Sequence, residues 1–338
     1  MATPAEWIAG ARPRTLPAAV APVLAGTGVA AWFFEPVWWK AALALVVSLA
    51  LQVAVNYAND YSDGIRGTDD VRVGPMRLVG SRAATPAAVK RAMLIAFGVA
   101  GIAGVVLAVT TAWWLVLVGL VCVVAAWFYT GGSKPYGYLG LGEVMVFVFF
   151  GLVATVGTAY VQVFHAWGHM RRGHGDADFG WFAYEPIHSA RTIDCLRGVD
   201  QMSAYACLPT GNAWLLPALL AGTAIGALAC AILVANNLRD IPTDTVAGKM
   251  TLAVRLGDHR TRGFYAALVA LALATLIGLA AITSWWALLG LVFLLPAAKG
   301  VKVVTSGATG PGLIPVLQST GVAELLLGVG VFVGLLLA

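Results

Sequence analysis

The segment AWLLPALLAGTAIGALACAILVA-NNLRDIPTD, residues 213–244, joins a long apolar stretch directly to a cluster of Asn and Asp residues. Residues 213–235 contain no Asp, Glu, Lys or Arg. Because a helix needs about 20 apolar residues to cross the hydrocarbon core of a bilayer, this stretch predicts a transmembrane helix. The Asn and Asp residues that follow would lie where that helix leaves the membrane.

The rest of the chain has the same apolar character. Of its 338 residues, 60% are hydrophobic and only 11% are charged, whereas about 25% are charged in a typical soluble domain. Backbone groups exposed to lipid must be hydrogen-bonded within their own segment, so we expect helices throughout. The sequence therefore predicts a single all-α integral membrane domain over residues 1–338, with nine transmembrane helices at 15–34, 38–58, 89–111, 113–130, 142–163, 213–235, 264–283, 285–304 and 314–337.

The basic residues are unevenly distributed between the two sides of such a membrane protein. The chain has 21 Lys and Arg against 16 Asp and Glu. With nine helices and the N-terminus in the cytoplasm, sixteen of these 21 basic residues fall on cytoplasmic segments and five on outer ones. This follows the positive-inside rule for cell-membrane proteins, and it places the C-terminus outside. It also explains the basic excess better than nucleic-acid binding, so we expect contact with membrane lipid and no nucleic-acid partner.

The first acidic motif, NYANDYSDGIRGTDD, occupies residues 56–70 at the end of the second predicted helix. If that helix continues, four polar residues share one face at three- and four-residue steps: Asn56, Asn59, Asp60 and Asp63. Two glycines then allow the chain to turn back. We therefore expect Asp69 to return toward the same pocket.

The second acidic motif, NNLRDIPTD, occupies residues 236–244 after the sixth predicted helix. Asn236, Asp240 and Asp244 are four residues apart, which stacks their oxygens along one helix face until Pro242 disturbs the turn. Carboxylates at the end of an apolar helix repel one another and are costly to bury unpaired. Hard oxygen ligands in this open arrangement suit Mg²⁺, which keeps several waters and is usually completed by substrate phosphates.

Basic residues on the same predicted face could neutralise the remaining phosphate charge. One of them, Lys134, lies in a Gly-rich turn, YTGGSKPYGY, at residues 129–138. Such a turn lets a lysine approach an anionic group closely, although Gly and Pro also simply mark turns. The complete set of basic candidates is Arg66, Arg77, Lys134, Arg239 and Lys249.

Two other interpretations of the acidic motifs predict a different number or placement of the acidic residues. Solvated loop acids, salt-bridged to loop cations, would explain one motif, but not two with matched Asn-x₃-Asp spacing on one membrane face. A cation-coupled transporter or channel would place acids near the middle of the bilayer and on both faces. Here the acids gather at the cytoplasmic ends of two helices, which favours a reaction site on one side.

These residues resemble the UbiA superfamily of intramembrane prenyltransferases, which have nine transmembrane helices around a chamber and two Asp-rich motifs on the cytoplasmic side. Asn59, Asp60 and Asp63 fit the first motif of the superfamily, although Gly67 stands where many members have Asp, and Asp69 follows two residues later. The second motif fits in full. Within the superfamily the chain is most similar to the 1,4-dihydroxy-2-naphthoate polyprenyltransferases, at residues 11–17, 59–69, 74–77, 129–143 and 236–257.

The resemblance implies roles for particular residues. It implies that Mg²⁺ is held by Asp63, Asp69, Asp240 and Asp244, with Asp60 as a direct or indirect ligand. Arg77, Lys134 and Lys249 would neutralise the leaving diphosphate, and Asn59 and Asn236 would orient diphosphate or metal-bound water. Asp63, Asp240 and Lys134 are the residues we expect to matter most for catalysis. Arg14 could bind the carboxylate of the acceptor, or it could equally anchor lipid headgroups.

The resemblance also implies a reaction. A polyprenyl group would pass from polyprenyl diphosphate to 1,4-dihydroxy-2-naphthoate with loss of CO₂ and diphosphate, which gives demethylmenaquinone in its reduced, quinol form, the precursor of menaquinone. A superfamily member with a different aromatic acceptor would have the same metal site. Only trials with different acceptors distinguish these alternatives.

Residues 164–212 do not fit the pattern of short connections. We expect them to form an insertion outside the membrane that caps the chamber. His165 and His169 are one helical turn apart, so a metal site is conceivable there. Cys195 and Cys207 could form a disulfide if that side is oxidising, or remain free thiols.

Overall fold

The computed structural model describes residues 2–66, 76–132, 135–171 and 212–338, and every regular element within these ranges is helical. The α-helices are α1 (Pro4–Ala11), α2 (Pro17–Phe33), α3 (Trp38–Arg66), α4 (Pro86–Val109), α5 (Leu115–Phe128), α6 (Gly142–Val146), α7 (Ala154–Arg171), α8 (Leu215–Val246), α9 (Leu252–Ile282), α10 (Leu294–Thr305) and α11 (Ile314–Leu337). A π-helical segment, Phe147–Val153, joins α6 to α7. Short 3₁₀ segments occupy Pro13–Thr15, Tyr136–Leu139, Trp285–Phe293 and Gly310–Leu313.

Each of the nine apolar stretches contains a helix, but the helices differ in whether they could span a membrane. Seven are long and apolar enough, and the pair α1 and α2, which is bent by 49°, would make an eighth. The exception among the described residues is α5. Its 14 residues extend about 21 Å, which is shorter than a hydrocarbon core of about 30 Å. The structure therefore gives a multi-pass membrane protein with seven or eight candidate spans.

Three helices extend several residues beyond their predicted C-terminal ends, and α9 begins at Leu252, before the predicted start at residue 264. α3 continues to Arg66 and α8 continues to Val246, so residues 56–66 of the first acidic motif and the whole of the second are helical. α8 passes through Pro242, which we expected to disturb the turn. α7 continues to Arg171, so chain that we had placed in the outer insertion is still helical. Hydropathy marks where a helix becomes polar, and in these cases the backbone hydrogen bonds continue further.

α8 lies at the centre of the bundle, and 72% of the residues in its most apolar 18-residue stretch are buried. Its sequence has small residues where neighbouring backbones approach. A Cβ atom added to Gly226 would lie 3.0 Å from Gly151 Cα in the π-helical segment, so the two helices meet with no room for a side chain. By contrast, α4 and α5 expose large apolar side chains, such as Ile102 at 71% and Leu120 at 59%. Those faces are suited to lipid contact.

Exposed tryptophans collect at one end of the bundle. Trp38 lies at the start of α3, Trp113 between α4 and α5, and Trp285 after α9, and each is more than half exposed. Tryptophan is enriched where membrane helices reach the lipid–water interface. α3 begins at this end and carries the first acidic motif at its other end, so the motif and the tryptophans lie on opposite sides of the bundle.

Candidate active site

Asp63 is the point at which several segments converge on the first motif. Its carboxylate is only 3% exposed. The Tyr138 hydroxyl donates to Oδ1 over 2.7 Å, and Arg77 Nη2 lies 3.4 Å from Oδ2. Lys249 Nζ lies 3.9 Å from Oδ1. A predicted metal ligand and two predicted phosphate-binding cations are therefore together, with a tyrosine that we did not predict.

Tyr138 also contacts cations from two segments: Arg66 at the end of α3 and Lys249 between α8 and α9. Its ring centroid lies 4.6 Å from Lys249 Nζ and 5.7 Å from the Arg66 guanidinium carbon. Its carbonyl accepts a hydrogen bond from Met250 N over 3.0 Å. Cations over an aromatic face are attracted by the negative charge of its π system. The ring therefore helps to hold both cations close to Asp63.

The other polar residues of the first motif bind backbone or side chains from different segments. Asp60, 1% exposed, accepts hydrogen bonds from the backbone amides of Leu78 (2.7 Å) and Val79 (3.0 Å). Asn59 accepts one from Thr130 Oγ1 over 2.7 Å. Asp60 thus fixes the segment that carries Arg77, which favours an indirect role at the metal site over direct ligation.

Two further residues of this motif, Asn56 and Arg66, stabilise its surroundings. Asn56 donates to Ala11 O (2.9 Å) and Thr15 Oγ1 (3.0 Å), so it fastens the break between α1 and α2 to α3. Arg66 donates to the carbonyls of Thr130 and Gly132. Both residues therefore position the walls of the site.

The second motif forms a compact polar group on α8. Arg239 binds Asp240 with two hydrogen bonds of 2.6 Å, from Nε and Nη2. Arg239 Nη2 also donates to Asn236 Oδ1 over 2.9 Å, and Asn236 Nδ2 lies 3.5 Å from Asp240 Oδ2. Asp240 and Arg239 are each 8% exposed, while Asp244 is half-buried one turn later. Arg239 therefore supplies the charge that lets Asp240 be buried as a carboxylate.

Some predicted residues cannot be placed in the site. Asp69 and Lys134 lie outside the described residues, as do Cys195 and Cys207. Within the described part of the chain, no three His, Cys, Asp or Glu side chains form a group that could hold a metal ion. The donor chemistry still fits Mg²⁺, because Asp63, Asp240 and Asp244 offer hard carboxylate oxygens. The complete ligand set stays a prediction.

Arg14 lies in the 3₁₀ turn Pro13–Thr15, directly before α2. When the Gln318 amide is oriented with its oxygen toward Arg14, Arg14 Nη1 and Nε each lie 3.2 Å from that oxygen. Both side chains are exposed. The start of α2 is thereby tied to α11, and the guanidinium has an orienting partner that the sequence did not reveal.

A buried pair that we did not predict joins α6 to α8. Asn237 Nδ2 donates to Glu143 Oε1 over 2.9 Å, and the two residues are 8% and 4% exposed. Glu143 is the single charged residue in the stretch 142–163. Ionisable residues within membrane segments usually have a functional role. A lone Glu in an otherwise uncharged stretch could therefore have been singled out from the sequence.

The turn before α6 is held by tyrosines. The Tyr136 hydroxyl donates to Ala125 O over 2.6 Å, and the Tyr136 ring meets Tyr129 edge-on with centroids 5.6 Å apart. Burial raises the pKa of Tyr136 to about 12, so its hydroxyl keeps its proton and remains a donor. The turn that precedes Tyr138 is thereby fixed to α5.

Comparison with known proteins decides the family. A sequence model of the UbiA prenyltransferase family matches residues 17–183 and 201–306. The chain belongs to this family. A relative from Mycobacterium tuberculosis, 1,4-dihydroxy-2-naphthoate octaprenyltransferase, is 49% identical over 96% of this chain and 94% of its own length. The protein of the same name from Mycobacterium leprae is 48% identical over 100% of this chain and 98% of its own length.

Solved structures of UbiA homologues share the fold. The apo structure of a homologue from Aeropyrum pernix aligns with a TM-score of 0.64 at 12% identity, covering 94% of this chain and 97% of the other. A homologue from Archaeoglobus fulgidus bound to DMAPP and Mg²⁺ aligns with a TM-score of 0.59 at 13% identity, covering 97% and 98%. At these identities the likeness establishes the UbiA fold of the bundle.

Proposed function

We propose that this chain transfers a polyprenyl group from polyprenyl diphosphate to 1,4-dihydroxy-2-naphthoate in menaquinone biosynthesis. The bond from the prenyl carbon to diphosphate breaks, a bond from that carbon to the aromatic ring forms, and the ring carboxylate leaves as CO₂. Relatives of this name match at 48–49% identity over nearly the whole chain. The observation that carries the proposal is the convergence of Arg77, Lys249 and Tyr138 on Asp63, which gathers acid and base at the end of an apolar helix.

Mg²⁺ is the metal that the acidic residues would hold. Asp63 and Asp69 would serve from the first motif, and Asp240 and Asp244 from the second, with Asp60 supporting them through the backbone of residues 78–79. Bound Mg²⁺ would act as a Lewis acid that stabilises negative charge on the departing diphosphate. The Archaeoglobus fulgidus homologue, which binds DMAPP and Mg²⁺, supports this proposal by analogy.

The cations of the site would bind the diphosphate oxygens. Arg77, Lys249 and Arg239 are each paired with an aspartate in the structure, which keeps them oriented toward the site. Arginine suits phosphate because its planar guanidinium can donate two parallel hydrogen bonds. Lys134, in the turn between α5 and α6, would add a further charge. These residues would hold the leaving group while the prenyl carbon becomes electron-deficient.

The apolar bundle would protect that electron-deficient carbon from water. We propose that α5 also crosses the membrane, which gives nine crossings with the N-terminus and both acidic motifs on the cytoplasmic side. Arg14, held by Gln318, would bind the carboxylate of the naphthoate before it is lost. The prenyl tail would lie among the apolar helix faces.

The decisive experiment is a reaction with defined substrates. The detergent-purified protein would be incubated with 1,4-dihydroxy-2-naphthoate, a long polyprenyl diphosphate and Mg²⁺, and CO₂ and prenylated product would be measured. We expect product in the wild type, and none with EDTA or in Asp63→Asn or Asp240→Asn. The matched control is Asp258→Asn, because Asp258 is also paired with an arginine, Arg262, but is outside both motifs in the sequence and its side chain is 57% exposed.

The outcomes separate the parts of the proposal. If the donor is consumed but the naphthoate is untouched, the acceptor is wrong and another aromatic acid should be tested. If Asp258→Asn is as inactive as Asp63→Asn, the loss reflects unfolding and the site assignment fails. If the folded wild type neither binds nor cleaves the donor with Mg²⁺, prenyl transfer itself is excluded.

A further inference from the structure

Asn236 and Asn237 are neighbours on α8 but make contacts in different directions. Asn236 contacts Arg239 and Asp240 of the second motif. Asn237 contacts Glu143 on α6. Successive residues on an α-helix are about 100° apart around its axis, because 3.6 residues complete a turn. The rotation of α8 about its own axis therefore decides which of the two amides faces the first motif.

Glu143 holds that rotation at two points. Its carboxylate accepts from Asn237, and its carbonyl oxygen accepts from Cys230 Sγ over 2.9 Å. These two partners are seven residues apart, about two helical turns, and so lie on the same face of α8. Two contacts along one face fix both the rotation and the axial position of a helix, whereas one contact would leave it free to swivel.

The packing around this pair leaves little freedom for adjustment. Gly226 continues the same face of α8 one turn before Cys230, and it meets Gly151 with no space for a Cβ atom. α6 and the π-helical segment that follows it therefore lie directly against α8. Glu143 and Asn237 are both almost fully buried, so water cannot easily replace either partner if the other is lost.

We propose that Glu143 is a positioning residue for the second acidic motif, acting through Asn237. It would set the rotation of α8 that turns Asn236 and Asp240 toward the first motif and the Mg²⁺-diphosphate. This inference rests on the proposed function. In the described contacts Glu143 meets Asn237 and Cys230 and not the motif carboxylates, so its action on the metal site is indirect. Residues that orient metal ligands in this way affect metal affinity strongly.

The test measures binding of Mg²⁺ with inorganic diphosphate as well as turnover. Thermal unfolding of the full chain in detergent would be followed as Mg²⁺ is titrated at fixed diphosphate, and the Mg²⁺ concentration at half-maximal stabilisation recorded. In Glu143→Ala we expect this concentration, and the Mg²⁺ requirement for turnover, to rise by about 10-fold. Glu143→Gln should stay close to the wild type, because its amide oxygen can still accept from Asn237.

A partner exchange and a matched control complete the test. Glu143→Asn combined with Asn237→Glu restores a carboxylate–amide pair, so it should recover most of the Mg²⁺ response lost in Glu143→Ala. The control is Gln162→Ala, which removes another buried hydrogen bond, to Thr27 Oγ1 (3.0 Å), from a part of the bundle without acidic motifs. It should lower the unfolding temperature and leave the Mg²⁺ concentration dependence unchanged.

The inference is overturned if Glu143→Ala lowers only the unfolding temperature, as Gln162→Ala does, with the same Mg²⁺ dependence as the wild type. It is also overturned if Glu143→Gln is as impaired as Glu143→Ala, because the charge itself would then be required. Failure of the proposed function would look different. In that case the wild type would yield no prenylated naphthoate, whatever the Mg²⁺–diphosphate titration of the variants showed.

Discussion

The two acidic motifs end helices of similar character, but they are stabilised in different ways. The polar residues of the first motif bind partners far away in the sequence: Thr130 for Asn59, residues 78–79 for Asp60, and Tyr138 and Lys249 for Asp63. In the described part of the chain, Asp240 of the second motif is paired with Arg239 and Asn236 on its own helix. The first motif therefore holds surrounding loops in place by hydrogen bonds, whereas the position of the second motif depends on how α8 packs in the bundle.

The largest difference should appear when the central carboxylate of each motif is removed. Asp63→Ala leaves Arg77 and Lys249 without this partner in a buried site, which should lower the free energy of unfolding by about 3–5 kcal/mol. In Asp240→Ala one buried cation instead of two loses its carboxylate, and Arg239 keeps its hydrogen bond to Asn236, so we expect a smaller loss of about 2–3 kcal/mol. Both variants should lose prenyl transfer. Unfolding in detergent, followed by circular dichroism, measures the difference, and equal losses would remove the contrast between the motifs.

The dependence of the second motif on packing can be tested at Gly226. The Cβ atom of Gly226→Ala would press on Gly151 Cα and Phe147 O, both 3.0 Å away, which should cost about 1–3 kcal/mol and displace α8. The matched control is Gly101→Ala in α4, where a Cβ atom meets nothing within 4 Å. It should be neutral or stabilise by up to about 1 kcal/mol. Prenyl transfer that is unchanged in Gly226→Ala would show that the motif tolerates such a shift.

A smaller effect is expected from the hydrogen bond that ties the first motif to the 129–132 turn. Asn59→Ala and Thr130→Val each remove the same contact, so each should cost about 1 kcal/mol. The double variant should be no worse than either single one, because the two changes delete one interaction. Urea unfolding of all four proteins measures this coupling. Strict additivity would mean that the hydrogen bond contributes nothing.

The smallest effect should be at the edge of the site, where both partners are exposed. Gln318→Ala leaves the Arg14 charge in place but removes its orienting contact, so we expect the KM for the naphthoate to rise by about threefold, consistent with an exposed interaction worth up to about 1 kcal/mol. The KM for the polyprenyl diphosphate should not change. If instead only the donor KM rises, Arg14 belongs to the diphosphate site.

The apolar helices could be predicted from the sequence because membrane crossing is a property of composition along a single stretch. The predicted spans end at residues 58 and 235 because hydropathy falls there, whereas the helices continue to Arg66 and Val246. The count of crossings was harder to predict. The stretch 113–130 is apolar throughout, yet its α-helix begins at Leu115 and ends at Phe128.

The layout of the site was predictable where spacing along one helix places the side chains, as for Asp63 and Asp240, whose chemistry stays a prediction. It was not predictable where a partner comes from elsewhere in the chain. Spacing puts Asp60 on the same face as Asp63, but it gives no sign that the backbone of residues 78–79 would bind it. In the same way, spacing puts Asn236 on the same helix face as Asp240, but it gives no sign that the neighbouring Asn237 would bind Glu143.

The length of α3 has a consequence for where the products go. Its 29 residues extend about 44 Å, which exceeds the hydrocarbon core of about 30 Å. If the exposed Trp38 lies at one interface, α3 would place Asp63 at the headgroup level of the opposite leaflet. Cleavage at that level would separate the charged diphosphate of the donor from its apolar prenyl chain at the boundary between water and lipid. The charged diphosphate would depart into water and the uncharged quinol into lipid, so simple partitioning would draw the reaction forward.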